Sequence, residues 1–290
     1  MSVRVIPGVA KIAGDYDAFI LDLWGVLYDG GQVFPWALRC MDRLRAGGVR
    51  LAILSNGPRR ASVVAERVTA AGIAPAHYDF ILSSGEEAWQ YLSGNRADAW
   101  YAGLGRRCYF IGQEADRAML DGLKAISVDT VAGADFLLVC GPPRPGDVIE
   151  DYETVLGDAA ASGLPMVCAN PDLVVHRLGE VEICAGTIAE RYAALGGDVR
   201  WHGKPHRSVY QSCLERLAPV ERARVLVVGD SFRTDIKGAN RAGLASLLVA
   251  GGIHGQDLCE PGGAPDAGRI DDWAARARAL PDYACGLFEW

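Results

Sequence analysis

The sequence predicts an α/β fold, a Rossmann-like parallel-sheet core carrying an inserted α/β domain. Three observations point there. Short apolar runs alternate with amphipathic stretches along the whole chain, the pattern of a parallel sheet with helices on both faces. The runs "DAFIL", "RLAIL", "RVLVV" and "ASLLV" end at Asp22, at Ser55-Asn56, at Gly229-Asp230 and at Ala250-Gly251. A second set of strands separates the first two of these runs from the last two.

The elements follow in order. After the first strand, "PWALRCMDRLRAGG" reads as a helix closed by glycines. "PRRASVVAERVTAAG" starts at Pro58 and stops at Gly72, the proline-start, glycine-stop asymmetry of helices. Ser84 and Glu87 have capping-box spacing ahead of "AWQYL". Between Ser83 and Trp201, "RCYFIG", "DFLLVCG" and "LPMVCAN" read as strands, with the turn-rich "GPPRPGD" among them. The division expected is a core of residues 1–82 and 190–290 with an inserted domain over 83–189. "GLGRRC" at 103–108 partly matches a dinucleotide glycine motif, but it precedes a strand where that motif opens a helix, so it is a turn. Beyond Gly251, "CEPGGAPDAG" reads as a surface loop and "DDWAARARAL" as a helix.

The bulk properties narrow the function classes. Of 290 residues, half are hydrophobic, and the formal net charge is −7. That balance argues against nonspecific binding to nucleic acid or an anionic membrane. Cysteines 40, 108, 140, 168, 184, 213, 259 and 285 are scattered, without a C-x-x-C pair. They are expected to be buried free thiols of a reducing cytosol, with no disulfide or zinc site. No stretch approaches the roughly 18 apolar residues of a membrane span. The opening "MSVRVIPGVAKIAGDYD" lacks the apolar centre of a signal peptide. A soluble cytoplasmic protein is expected.

Chemistry is sought at the strand ends, because an open parallel sheet binds its ligands beyond the carboxyl ends of its strands. Those ends supply Asp22, Ser55 with Asn56, and Asp230; "VGDSFRTD" adds Asp235. "GKPH" places Lys204 just before the helix "RSVYQSCLERL". Two carboxylates, a hydroxyl and an amide suit a divalent metal and an oxyanion, and magnesium prefers such oxygen ligands. Singly each residue is ordinary: a strand-end carboxylate caps a helix, Ser-Asn-Gly-Pro makes a turn, and a lysine sits on the surface.

Taken in order, "DLWGV", "LSN", "GKP" and "GDSFRTD" resemble the four motifs of the haloacid-dehalogenase superfamily. The likeness extends from about residue 15 to 255. It is nearest the class IIA members, p-nitrophenylphosphatase-like and sugar-phosphatase-like, with a large α/β cap between the second and third motifs. "SSGEEAWQYL", "ANPDLV" and "EICAGTIAERY" look like that cap and its hinges. The resemblance implies a magnesium-dependent phosphatase for a small phosphorylated metabolite. Asp22 would be the nucleophile, forming an aspartyl-phosphate. Mg2+ would be held by Asp22, the backbone carbonyl of Trp24, and Asp230, with Asp235 supporting the metal. Ser55, Asn56, Gly57 and Lys204 would hold the phosphoryl group, with Trp24 beside the substrate. Large caps in this family can build dimer interfaces, which leaves a homodimer open.

Trp24 stands where these phosphatases carry a second aspartate that protonates the leaving group. An indole N–H donates but does not titrate near neutrality, and general acid–base help is worth about 10²–10⁴-fold in rate. Slow turnover is therefore expected, or a substitute acid among His202, His206 and Asp29. One alternative is a phosphate-binding protein with little turnover. Another is a carbon–halogen hydrolase, against which both Asp230 and Asp235 argue. Arg59 and Arg60 are read as solvated helix-start residues, with contact to an anionic substrate as the other reading.

Overall fold

The computed structural model describes residues 2–177 and 180–290, and the chain forms two compact units. The first comprises Met1–Ser55, Ala65–Leu82 and Lys204–Trp290; the second comprises Asn56–Val64 and Ser83–Gly203.

Among the described residues, the first unit carries a seven-stranded sheet. Its order is Arg4–Val5, Tyr283–Cys285, Ala245–Val249, Val225–Gly229, Ala18–Asp22, Arg50–Ser55 and Phe80–Ser83. Pairing is parallel from Arg4–Val5 through Arg50–Ser55. The runs are continuously apolar because side chains alternate between two covered faces. Ala18, Ile20, Ala52, Leu54, Val225 and Val227 pack against Val209, Tyr210, Cys213 and Leu217 of the helix Arg207–Leu217. A separate cluster joins Leu248 and Ala284 to Ile270 and Ala274 of the helix Ala267–Ala277. That helix starts at Asp266, whose carboxylate accepts the Arg269 N–H at 3.0 Å.

The second unit repeats the layering. Its parallel sheet runs Val199–Trp201, Met166–Cys168, Phe136–Val139, Arg107–Ile111, Ile126–Val128. Leu137, Val139, Met166 and Cys168 face the helices Glu153–Ala161 and Ala185–Ala194. Phe136, Leu138 and Val167 pack with Ala88 of the helix Ser84–Leu92 and with Met119. An antiparallel hairpin, Val174–Arg177 with Glu180–Ile183, is added to this unit.

The structure departs from the sequence reading at several points. Residues 56–64 and 190–203, expected with the core, group with the second unit, where Val199–Trp201 pairs with Met166–Cys168. The Ala61–Ala70 helix begins three residues after Pro58, its first N–H taken by the Glu86 carboxylate at 3.1 Å. The cap of Ser84–Leu92 is Ser83, whose Oγ accepts the Glu86 N–H at 3.0 Å. Ser84 instead turns its hydroxyl to the Asn56 carbonyl. All eight cysteines are buried and unbridged, as expected. Among the described residues, no helix is long and apolar enough to cross a membrane.

Candidate active site

Register brings the chemistry of the first unit to one edge. Leu21 is paired with Val228, so Asp22 leaves its strand beside Gly229 and Asp230. Asp22 itself is paired with Leu54, one residue before Ser55. Lys204 opens the last segment of this unit. Its ammonium lies 2.5 Å from Asp22 Oδ1 and 2.7 Å from Asp235 Oδ1. Asp235 sits in a π-helical turn, Phe232–Ile236. The Asp235 and Ile236 N–H groups both donate to the Ser231 carbonyl. Such wide turns recur at functional sites, where they re-aim a side chain. Here Asp235 Oδ2 accepts the Ser231 N–H at 3.2 Å while Oδ1 meets the lysine. The Tyr210 hydroxyl donates to the carbonyls of Thr234 and Asp235, steadying the turn from below.

Glycines let the backbone close around these carboxylates. A Cβ on Gly25, whose φ is +73°, would stand 1.9 Å from Asp230 Oδ2. One on Gly229 would stand 2.1 Å from Asp235 Cγ, and one on Gly252 would stand 2.4 Å from Asp230 Cβ. Asp230 Oδ2 also accepts the Ile253 N–H at 2.8 Å. None of these glycines was singled out from sequence as part of the site. "WG" and "AGG" look like ordinary turns, and only the close approach of a carboxylate gives them meaning.

The electrostatics describe an unbalanced cluster. One carboxylate oxygen from each of Asp22, Asp230 and Asp235 lies within 4.8 Å of the others. Burial, reinforced by the Asp235 charge, pushes the Asp22 carboxyl well above the usual carboxylate range despite Lys204. Burial and Asp235 likewise push Asp230 up to about 7, opposed by its bond from Ile253. Burial works against the Lys204 charge, but Asp22 and Asp235 outweigh it and hold the ammonium protonated. Three carboxylates facing one ammonium leave an excess of two negative charges when all are ionised. An oxygen-rich donor set with that excess fits a divalent hard cation.

Trp24 is 39% exposed and held by its own loop. Its ring meets Tyr28 edge-on at 5.1 Å, and a Cβ on Gly30 would fall 2.3 Å from its Cζ3. Gly30, at φ +98°, thus supplies both the turn and the space for the indole. Of the substitute acids considered, Asp29 is exposed and accepts N–H bonds from Gly31 and Gln32. Those bonds hold its carboxyl below the usual range, so it carries no proton to donate near neutrality. His206 precedes the first turn of Arg207–Leu217. His202 belongs to the second unit, where it lies between Glu87 and Tyr101.

Ser55 is buried at the end of its strand in the first unit, whereas Asn56 and Gly57 belong to the second. Asn56 Nδ2 donates to Asp172 at 2.8 Å, and the Asn56 and Gly57 carbonyls accept the Ser84 hydroxyl. Arg59 and Arg60 are half-buried and held in ion pairs, not free on the surface. Arg59 pairs with Asp116 at 2.7 Å, and Arg60 pairs with Glu86 at 2.7 Å while lying over the Trp89 ring.

Comparison with known proteins accords with this architecture. Residues 19–125 match the haloacid dehalogenase-like hydrolase family, and residues 201–274 match a HAD-hydrolase-like family. A haloacid dehalogenase-like hydrolase from Brucella suis superposes with a TM-score of 0.82 at 30% identity, covering 98% of this chain and 99% of that one. D-Glycerol 3-phosphate phosphatase of Mycobacterium tuberculosis is 28% identical over 84% of this chain, which spans 65% of that relative's length. A glycerol phosphate phosphatase of the same organism, solved with magnesium, superposes at a TM-score of 0.65 and 25% identity, covering 86% of this chain and 74% of that one. With strand ends, motif order and a full-length relative in agreement, the chain belongs to the haloacid dehalogenase-like hydrolase family.

Proposed function

We propose that the protein is a magnesium-dependent phosphatase that hydrolyses a small phosphorylated metabolite through an aspartyl-phosphate on Asp22. The observation that carries this reading is the trio of half-buried Asp22 and buried Asp230 and Asp235 facing the single charge of Lys204. The glycerol phosphate phosphatases among its relatives support the substrate class, and the magnesium in one of them supports the cation.

Asp22, Asp230 and Asp235 are the side chains that would hold the metal, with the Trp24 carbonyl beside them. Bound magnesium supplies positive charge against the repulsion between a phosphoryl group and a carboxylate. Asp22 attacks phosphorus, its carboxylate oxygen forming the new P–O bond as the leaving oxygen departs with the bonding pair. Ser55 and Lys204 offer an O–H and an N–H to the phosphoryl oxygens, and Asn56 and Gly57 extend that loop. Water then cleaves the acyl phosphate, returning Asp22 and releasing phosphate.

Trp24 has no proton to give the leaving oxygen, so the first step depends on how well that oxygen bears charge. Hydrolysis of substituted aryl phosphates is the test, with magnesium and with a chelator. The rate falls steeply as leaving-group pKa rises, and Asp22→Asn abolishes it. Persistent activity in Asp22→Asn refutes the nucleophile, and activity undiminished by chelation refutes the metal. A flat leaving-group dependence refutes the missing acid. If no phosphomonoester turns over while inorganic phosphate and magnesium raise the melting temperature, the chain is a phosphate-binding protein instead.

A further inference from the structure

Five consecutive residues of the second unit, Ser83 to Glu87, each bond to or pack against one of two segments. The first segment is 56–61. Ser83 Oγ donates to the Arg59 carbonyl at 2.5 Å. Ser84 Oγ donates to the Asn56 carbonyl at 2.7 Å and to the Gly57 carbonyl at 3.0 Å. The Gly85 N–H donates to the Gly57 carbonyl at 3.2 Å, and a Cβ at Gly85 would stand 2.4 Å from the Pro58 carbonyl carbon. Glu86 accepts from the Arg60 guanidinium and from the Ala61 N–H.

The second segment ends at Gly203. Glu87, fully buried, accepts the Gly203 N–H at 3.0 Å and lies 3.2 Å from His202 Nδ1, while the other ring nitrogen of His202 meets the Tyr101 hydroxyl. Gly203 is confined from other directions too. Its φ is +94°, and a Cβ there would fall 2.6 Å from Asn56 Oδ1 and 2.7 Å from Ser84 Cβ. One short helix start therefore grips the residue that precedes Lys204 in the chain and the pair Asn56-Gly57 that follows Ser55.

We infer that Ser83–Glu87 is a positioning clasp, in which Ser84 sets the Asn56-Gly57 backbone and Glu87 sets Gly203, so that the backbone adjoining Ser55 and Lys204 in the chain is held fixed for phosphoryl binding. None of the five touches substrate in this scheme; they act through the segments they grip. The inference rests on the phosphatase reading for its substrate, and on the second unit's own hydrogen bonds for its geometry. The acceptor oxygen of Glu87 is what Gly203 requires. Glutamine can supply such an oxygen and alanine cannot.

The test compares Ser84→Ala, Glu87→Ala and Glu87→Gln with wild type. It measures kcat and KM for 4-nitrophenyl phosphate, and inorganic phosphate affinity by calorimetry with magnesium, on variants that are folded by circular dichroism. Ser84→Ala and Glu87→Ala lower kcat/KM by about 10–100-fold, the usual cost of losing an outer support. Glu87→Gln restores most of the activity that Glu87→Ala loses. Wild-type kinetics in both alanine variants overturns the clasp, and so does a Glu87→Gln as impaired as Glu87→Ala. A wild type that hydrolyses no phosphomonoester refutes the phosphatase reading by itself. The clasp is then judged on phosphate affinity, which Ser84→Ala weakens about ten-fold if it holds and leaves unchanged if it does not.

Discussion

Replacing Lys204 by methionine removes one charge and keeps most of the side-chain volume. The ammonium side chain is 3% exposed, between Asp22 at 2.5 Å and Asp235 at 2.7 Å, whose side chains are 11% and 1% exposed. Removing one member of a buried ion pair costs about 3–5 kcal/mol, because the remaining charge stays buried and uncompensated. At roughly 2–4 °C per kcal/mol for a unit of this size, the melting temperature falls by about 6–20 °C in the presence of a chelator. Three carboxylates then face one another without a cation, so added magnesium stabilises Lys204→Met more than it stabilises the wild type. Adding Asp235→Asn to the Lys204→Met background removes one of the stranded charges and recovers part of the loss. Differential scanning calorimetry of the wild type, Lys204→Met, Asp235→Asn and the double variant, with and without magnesium, reads the cycle directly. An unchanged midpoint for Lys204→Met under chelation would show that the lysine does not balance the cluster, and the charge argument for a divalent metal would go with it.

Other consequences are as direct. Gly25→Ala forces a Cβ to 1.9 Å from Asp230 Oδ2 at a φ of +73°; it costs about 1–2 kcal/mol in backbone strain alone, and magnesium affinity measured by calorimetry falls at least ten-fold, about the lower end for a lost outer support. A variant with unaltered affinity would remove the glycine from the account of the site. Burial raises the thiols, pushing Cys108 and Cys285 up to about 12, and all eight are buried. Ellman's reagent at mildly alkaline pH therefore labels essentially none in the native protein and all eight in denaturant; rapid native labelling of several would refute the core packing. Trp24→Asp, read by steady-state kinetics on alkyl phosphates, raises kcat by about 10²-fold or more, the lower end of general acid–base contributions. No gain would mean that position 24 is not where the leaving group takes its proton.

How far the fold could be read from sequence depended on which elements are buried on both faces. "DAFIL", "RLAIL", "RVLVV" and "ASLLV" became the strands Ala18–Asp22, Arg50–Ser55, Val225–Gly229 and Ala245–Val249. Each is apolar along most of its length because helices cover both faces. The strands that escaped are short, and several are partly exposed. Arg4–Val5 has two residues, both exposed, and Ile126–Val128 has two exposed residues of three. A two- or three-residue strand carries no period to detect; only its sheet neighbour makes it a strand. Residues 190–203 were assigned to the core on the same ground, since Val199–Trp201 is visible only through its pairing with Met166–Cys168.

The site divides along a different line. Asp22, Asp230, Asp235 and Lys204 announce themselves by charge in an apolar setting, and the parallel sheet dictates that strand ends share an edge. Asp22 and Asp235 come within hydrogen-bonding reach of one ammonium, and a carboxylate oxygen of Asp230 lies within 4.8 Å of theirs. What surrounds them is steric or backbone-mediated: Gly25, Gly229 and Gly252 against carboxylates, and Ser84 and Glu87 against peptide groups. A glycine is present in every turn, and its role here is the distance a missing Cβ leaves. Trp24 belongs to both kinds. As a letter it stands where the proposed mechanism would use an acid, and as a side chain it is fitted to Gly30 and Tyr28 by its own loop. Its indole is anchored by loop residues, while the three carboxylates are anchored by strand ends, the π-helical turn and Lys204. In the proposed mechanism, Trp24 therefore bears on how the leaving group is handled without disturbing the charge balance of the three carboxylates and Lys204.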